Sequence, residues 1–196
     1  MKLIPLRRES PDAVDELVVS TVVYRPRNEV YDFLIRFPQY AAYSDHLREV
    51  LTRSESEETE ESNTRYGLKF AWWKLTYTVE SEVTDTNRPH TIDWRIVENL
   101  NAHGRWRLTK IEDDSFPLTA PDAADVATRV TFEATYDPDS ANKASINLPR
   151  FISFGWVIDR LEPAIRNEAK ETVERVVADL EGRTRPVELT VEHHST

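Results

Sequence analysis

The sequence has no cysteine, only four glycines and no long apolar run among its 196 residues. The lack of cysteine excludes thiol catalysis, thiolate metal sites and a disulfide scaffold, and it fits a reducing compartment. Few glycines leave little capacity for loops that cradle phosphates, and neither GxxxxGK nor GxGxxG occurs. No window approaches the ~18 apolar residues that span a bilayer, and no signal-peptide core is visible. We therefore predict no integral membrane segment and a cytoplasmic location.

Positive charge is also scarce. The 25 Lys and Arg residues oppose 35 Asp and Glu, for a net charge of −10. Nucleic-acid binding needs clustered cations, so we predict no nucleic-acid partner. Lysine is the rarer cation, 6 against 19 arginines, and the run from Glu55 to Glu61 holds five carboxylates without a cation. We favour a halophilic, haloarchaeal origin over an ordinary acidic cytosolic protein, because salt screens such a run.

The length fits one domain, which we place at residues 17–182 between an N-terminal leader (1–16) and a C-terminal tail (183–196). The tail is expected to be mobile. The domain opens with a β-branched strand at 17–24, after which Pro26 starts a helix that ends at Pro38. Residues 38–47 are predicted to form a second short helix.

From about residue 46 to residue 136, apolar residues alternate with polar ones between polar or proline-containing breaks. This pattern predicts antiparallel strands with one apolar and one wet face. Apolar residues then recur every three or four positions from Phe151 to Leu180, and Gly182 stands at the expected C-cap of this long helix. Pro163 should kink the helix or begin its second half.

Together these elements predict an α+β fold. In it, a curved antiparallel sheet of about six to seven strands wraps around the long C-terminal helix, and two short helices follow the first strand. Sheet and helix should then enclose a cavity.

Three segments carry a resemblance to a known family. They are the strand-to-helix passage that includes Val30-Tyr31-Asp32-Phe33-Leu34, the Phe37-Pro38-x-Tyr40 turn, and TRVTFEATYD at 128–137 before the last helix. Over residues 17–181 the sequence resembles the START-like, helix-grip superfamily (SRPBCC), and within it the polyketide cyclase/dehydrase and coenzyme Q-binding group. The resemblance implies a helix-grip fold with a hydrophobic ligand. It fixes no catalytic residue, and the acidic run and an insertion at 113–125 depart from the group pattern.

No catalytic motif such as GxSxG or HExxH is present, so catalytic residues stay unassigned. The histidines show no metal-ligand spacing, and we predict no metal and no cofactor. His103 is expected in a hairpin turn at 99–104, either as a solvated side chain or as an acid/base group at a pocket mouth.

Aromatic residues make up 10% of the sequence and cluster on the predicted inward face of the sheet and at the start of the long helix. Such walls suit a flat or chain-like apolar ligand, although core packing is the alternative for each residue. The expected ligand-binding residues are Tyr66, Phe70, Tyr77, Trp94, Trp106, Phe132, Tyr136, Phe151, Phe154 and Ile158.

The leading hypothesis is a monomeric or weakly dimeric protein whose cavity binds a hydrophobic small molecule, such as a lipid, an isoprenoid quinone or a polyketide-like aromatic. The alternative is an enzyme of the cyclase, aromatase or dehydratase type that uses the same cavity, with His103, Tyr77 and Tyr136 as acid/base candidates. A third hypothesis is an exposed face that binds another macromolecule, such as a ribosome or an ATPase.

Overall fold

A computed structural model describes residues 14–53, 63–72, 75–98, 100–112, 125–137, 140 and 154–195, except for the side chains of residues 72, 75, 77, 154–167 and 195. The acidic run at 55–61, nearly all of the 113–125 insertion and Phe151 lie outside the described residues. In chain order the elements are β1 (Asp15–Val23), α1 (Arg27–Leu34), a 3₁₀ helix (Phe37–Ala42), β2 (Leu47–Thr52), β3 (Arg65–Trp72), β4 (Leu75–Asn87), β5 (Thr91–Ile96), β6 (Asn101–Ile111), β7 (Ala127–Asp137), α2 (Phe154–Glu181) and β8 (Thr190–Ser195).

Helix α1 begins where the sequence predicts, directly after Pro26. Pro26 has a φ of −58°, which its ring fixes, and it occupies a position where the helix needs no backbone N–H donor. Four of the eight helical side chains are buried, and they form one face: Val30, Tyr31, Phe33 and Leu34. The second helix is shorter than predicted and is of the 3₁₀ type. After it, the Ser44 hydroxyl accepts from the backbone N–H groups of His46 and Leu47, where the chain turns toward β2.

The described strands form one antiparallel sheet of eight strands in the order β2-β3-β4-β5-β6-β7-β1-β8. This count is larger than the predicted six to seven. The unexpected strand is β8, which lies in the predicted mobile tail and pairs with β1 from Asp15↔Ser195 to Ser20↔Thr190. Val187, buried in the core at 4% exposure, anchors the segment that leads into β8.

The hairpin turn predicted at 99–104 is also shorter than expected. Strand β6 starts at Asn101, so His103 and Gly104 are strand residues rather than turn residues. Gly104 lies in register with Trp94 on one side and Ala134 on the other. A glycine inside a strand marks a place where another group approaches the backbone closely.

Helix α2 is continuous through Pro163, so this proline does not begin a separate helix. The predicted C-cap is confirmed. Gly182 has a φ of 68°, and the Arg183 amide donates to the Ala178 carbonyl at 3.1 Å, as in a Schellman motif. No helix in the described part of the chain is long and apolar enough to cross a bilayer.

The main core lies between one face of the sheet and the helices. Burial of each large apolar side chain in this core contributes roughly 1.5–3 kcal/mol to the free energy of unfolding. The most fully buried members are Val23, Val30, Tyr31, Val83, Ile92, Leu108 and Val177. Because α1, α2 and the middle strands all contribute, this core fixes the position of the helices on the sheet.

Candidate functional site

The two faces of β5, β6 and β7 differ in chemistry, because side chains alternate along each strand. The face that meets the helices, here called the inner face, carries the core residues Ile92, Leu108 and Val130. The other face, the outer face, carries cross-strand ion pairs such as Arg107 with Glu133 at 3.0 Å. This division matches the alternation in the sequence.

Three aromatic side chains contact one another on the inner face beside the buried core. We call Trp94, Trp106 and Phe132 the aromatic floor. The Trp94 and Phe132 rings are stacked, with centroids 5.5 Å apart and planes 7° apart, and the Trp106 ring lies 4.7 Å from Phe132 at 53°. All three are half-buried, whereas the neighbouring Ile92 and Leu108 are 0% and 2% exposed. The chain therefore leaves part of a flat aromatic surface uncovered.

Gly104 makes this stacking possible. A Cβ atom at position 104 would lie 2.5 Å from Cζ2 of Trp94 and 2.1 Å from the carbonyl oxygen of Glu133. Both separations are far below van der Waals contact, so the indole occupies the space that any side chain at 104 would need. The aromatic floor thus depends on a residue that has no side chain.

The indole N–H of Trp94 is buried and has no acceptor among the described residues. An unpaired buried donor costs about 1–3 kcal/mol, and most buried side-chain polar atoms in proteins have a partner. An oxygen of a bound molecule would satisfy this donor. The floor therefore combines a partly exposed apolar surface with one buried donor that has no partner among the described residues.

Tyr136 lies on the same face, four residues after Phe132 on β7. Its hydroxyl is 3.3 Å from Nε2 of His193, and the same nitrogen is 4.0 Å from Oδ2 of Asp15. Sequence reasoning missed both Asp15 and His193, because it assigned them to the leader and the mobile tail. The β-branched residues before His193 were the available signal for a strand.

The remaining predicted ligand-binding residues lie elsewhere or are not described. The Tyr66 ring is 4.9 Å from that of Phe37 and packs on the core, and Phe70 is 36% exposed on β3. The structure describes only the backbone of Tyr77, Phe154 and Ile158, and Phe151 lies outside the described residues. Of the predicted set, the structure brings together the aromatic floor and places Tyr136 further along the same face.

The outer face bears an open groove of about 430 Å³. The exposed His103 lines it, together with Trp94 and Gly104, and the His103 side chain alternates to the face opposite Trp106. Several charged side chains around it are paired: Asp93 with Arg105, Glu133 with Arg107, and Arg95 with Glu82. Among the described residues, no cluster of three His, Asp or Glu is placed to hold a metal ion.

Polar contacts hold the C-terminal half of α2 to the segment before β2. Glu168 accepts from the Ser44 hydroxyl at 2.5 Å and from the His46 amide at 3.0 Å, and the His46 ring lies 3.1 Å from its other oxygen. In the last turn of the helix, Asp179 accepts from the Tyr43 hydroxyl at 2.6 Å. Burial, together with this bond, raises the pKa of Tyr43 to about 12.

A second contact joins the end of α2 to the end of β1. The Glu181 side chain, 2% exposed, accepts from the Tyr24 amide at 2.9 Å and from Arg185 at 2.7 Å. Burial by itself raises the pKa of Glu181, but the bonds from Arg185 and Tyr24 outweigh it, so the pKa is lowered. These contacts fix α2 across the sheet, and thereby the inner face that it covers.

A family model for polyketide cyclase/dehydrase and lipid transport matches residues 23–166, which is more than half of the chain. The chain belongs to this family. No curated protein matches the sequence of this polyketide cyclase/dehydrase family member.

Solved structures show the same fold. The Zhui aromatase/cyclase from Streptomyces sp. R1128 is 14% identical, with 88% of this chain and 96% of that chain covered, at a TM-score of 0.57. The Thermus thermophilus protein TTHA0849 is 13% identical over 85% and 97% of the two chains, at 0.54. The di-domain ARO/CYC StfQ from the steffimycin biosynthetic pathway is 11% identical over 87% of this chain and 52% of that one, at 0.54. At these identities the similarity shows the helix-grip fold alone.

Proposed function

We propose that this family member binds a flat hydrophobic small molecule on the aromatic floor, between the sheet and α2. The observation that carries the proposal is the buried Trp94 N–H, which has no acceptor among the described residues, next to a half-buried stack of rings. A ligand with a conjugated ring system and an oxygen satisfies both features. Among the candidate ligands, a polyketide-like aromatic or the ring of an isoprenoid quinone therefore fits better than a saturated lipid chain.

Equilibrium dialysis with menadione, 2-naphthol and palmitate tests the proposal. We expect the two ring probes to bind and Trp94→Leu to weaken them by about tenfold or more, since it removes a stacked ring and a buried donor. Phe70→Leu is the matched control, because Phe70 is an exposed aromatic residue on β3, away from the floor. Circular dichroism verifies that both variants fold. The proposal fails if no probe binds, or if the two substitutions weaken the ring probes equally.

A cyclase, aromatase or dehydratase is the second candidate. The family description and the contact between Tyr136 and His193 favour it, because that contact places a proton donor beside an acceptor. Incubation with a linear poly-β-keto thioester, followed by mass spectrometry, separates the two functions. A cyclised product that is lost in Tyr136→Phe supports the enzyme, and binding without turnover supports the carrier.

We also propose a salt-adapted, cytoplasmic protein, monomeric or weakly dimeric and without a nucleic-acid partner. The net charge of −10 supports the salt adaptation and the lack of a nucleic-acid partner. Raising KCl from about 0.1 to about 1 M shortens the screening length from about 10 to about 3 Å, which relieves repulsion among carboxylates. The midpoint of urea unfolding should rise over this range, and a fall would contradict salt adaptation.

A further inference from the structure

Three side chains from adjacent strands meet at the edge of the inner face, beyond the aromatic floor. They are Tyr136 of β7, Asp15 of β1 and His193 of β8, here called the rim cluster. Asp15 is in register with Tyr136, and Leu17, the next residue of β1 on that face, is in register with both Ala134 and His193. All three side chains therefore lie on the same face as the floor. The Asp15 and His193 side chains are 20% and 40% exposed, so a ligand can reach them.

We propose that the rim cluster binds a phenol or ketone oxygen of a fused-ring ligand whose apolar part lies on the aromatic floor. This inference rests on the proposed binding function and names the polar end of the ligand. Phe132 and Tyr136 are four residues apart on one strand, or about 13 Å. A bicyclic or tricyclic system covers more of this backbone distance than a single aromatic ring does.

The contacts of His193 suit an oxygen in either chemical form. A neutral imidazole can accept a hydrogen bond from the Tyr136 hydroxyl. The Tyr136 oxygen can then accept a hydrogen bond from a ligand hydroxyl. An imidazolium donates from Nε2 to the Tyr136 oxygen, and the phenol proton can then be donated to a ligand carbonyl. The Asp15 carboxylate lies 4.0 Å from the same Nε2 atom. The cluster can thus act as an acceptor for a phenol or as a donor to a ketone.

Two of the three residues of the rim cluster lie outside the part of the chain that the family model matches. The family model covers residues 23–166, which include Tyr136 but neither Asp15 nor His193. Both of these come from the flanking strands, and the pairing of β8 with β1 brings them to Tyr136.

The test compares 2-naphthol with naphthalene, which differ only in one hydroxyl, by equilibrium dialysis. We expect Tyr136→Phe to lower the preference for 2-naphthol by about five- to tenfold and to leave naphthalene affinity unchanged, as expected for one lost hydrogen bond. His193→Leu should act in the same direction. His194→Leu is the matched control, because His194 is 66% exposed and alternates to the opposite face, so it should change neither probe.

The NMR signals of the His193 ring give a readout on the unaltered protein. They should shift when 2-naphthol binds and stay in place with naphthalene. If both probes bind but the variants and the His193 signals do not distinguish them, the rim assignment is overturned while the proposed function stands. If neither probe binds the native protein, the proposed function is overturned and this inference with it.

Discussion

Replacing Gly104 with alanine tests the packing that creates the aromatic floor. The added Cβ would lie 2.1 Å from the Glu133 carbonyl oxygen and 2.5 and 2.8 Å from two carbons of Trp94, whereas ordinary contact begins near 3.4 Å. To restore ordinary contact with the Glu133 oxygen, β6 or β7 must therefore shift by roughly 1.3 Å. Overpacking of this kind costs about 1–3 kcal/mol. We expect about 3 kcal/mol, because a backbone oxygen cannot rotate away as a side chain can.

Gly67→Ala is the matched control on β3. Its Cβ would meet only the ends of two flexible side chains, Arg53 Nε and Glu80 Oε1, each at 3.2 Å. The stability of this variant should stay within about 1 kcal/mol of the native value, with a gain possible because alanine restricts the unfolded chain. Urea unfolding followed by circular dichroism measures both variants. Equal stability of the two alanine variants would refute the account of Trp94 lying over Gly104.

Two further predictions concern the polar contacts of α2. Glu181→Gln should lower the free energy of unfolding at pH 7 by about 2 kcal/mol, as for a lost hydrogen bond to a charged group. Since the folded pKa of Glu181 is lowered, this loss should shrink as the pH falls below the ordinary carboxyl range, and a pH-independent loss in urea titrations would contradict the pKa argument. Tyr43→Phe should remove a tyrosinate absorbance change near pH 12. Between pH 10 and 12 the Tyr43 phenol loses its proton in the unfolded chain but keeps it in the folded one. The free energy of unfolding of the native protein should therefore fall more steeply over this range than that of Tyr43→Phe.

The features that follow from local pattern could be predicted from the sequence. Alternation along β5 to β7 correctly separated the aromatic floor from the charged outer face, because side-chain direction has a period of two residues. Pro26 and Gly182 marked helix ends, since their allowed backbone angles fit few other places. The family resemblance is confirmed by the match over residues 23–166.

The features that depend on register could not be predicted. Gly104 looked like a turn residue until its pairing with Trp94 and Ala134 showed what occupies the space beside it. His193 looked like part of a solvated tail, because a short strand at a sheet edge gains its stability from a distant partner rather than from its own propensity. The rim cluster joins residues from opposite ends of the chain, which no local window contains.

The position of β1 between β7 and β8 has a consequence for the order of folding. Strands β2 to β7 pair with their neighbours in sequence, whereas Val19 must find Phe132 on one side and Val191 on the other. Closing such long loops costs entropy before any contact repays it, so we expect the β2 to β7 meander to form first and β1 and β8 to join late. An intermediate of that kind would hold the aromatic rings without Asp15 and His193. If the chain binds its ligand as proposed, such an intermediate would not distinguish 2-naphthol from naphthalene, and this discrimination would be the last property that the chain acquires.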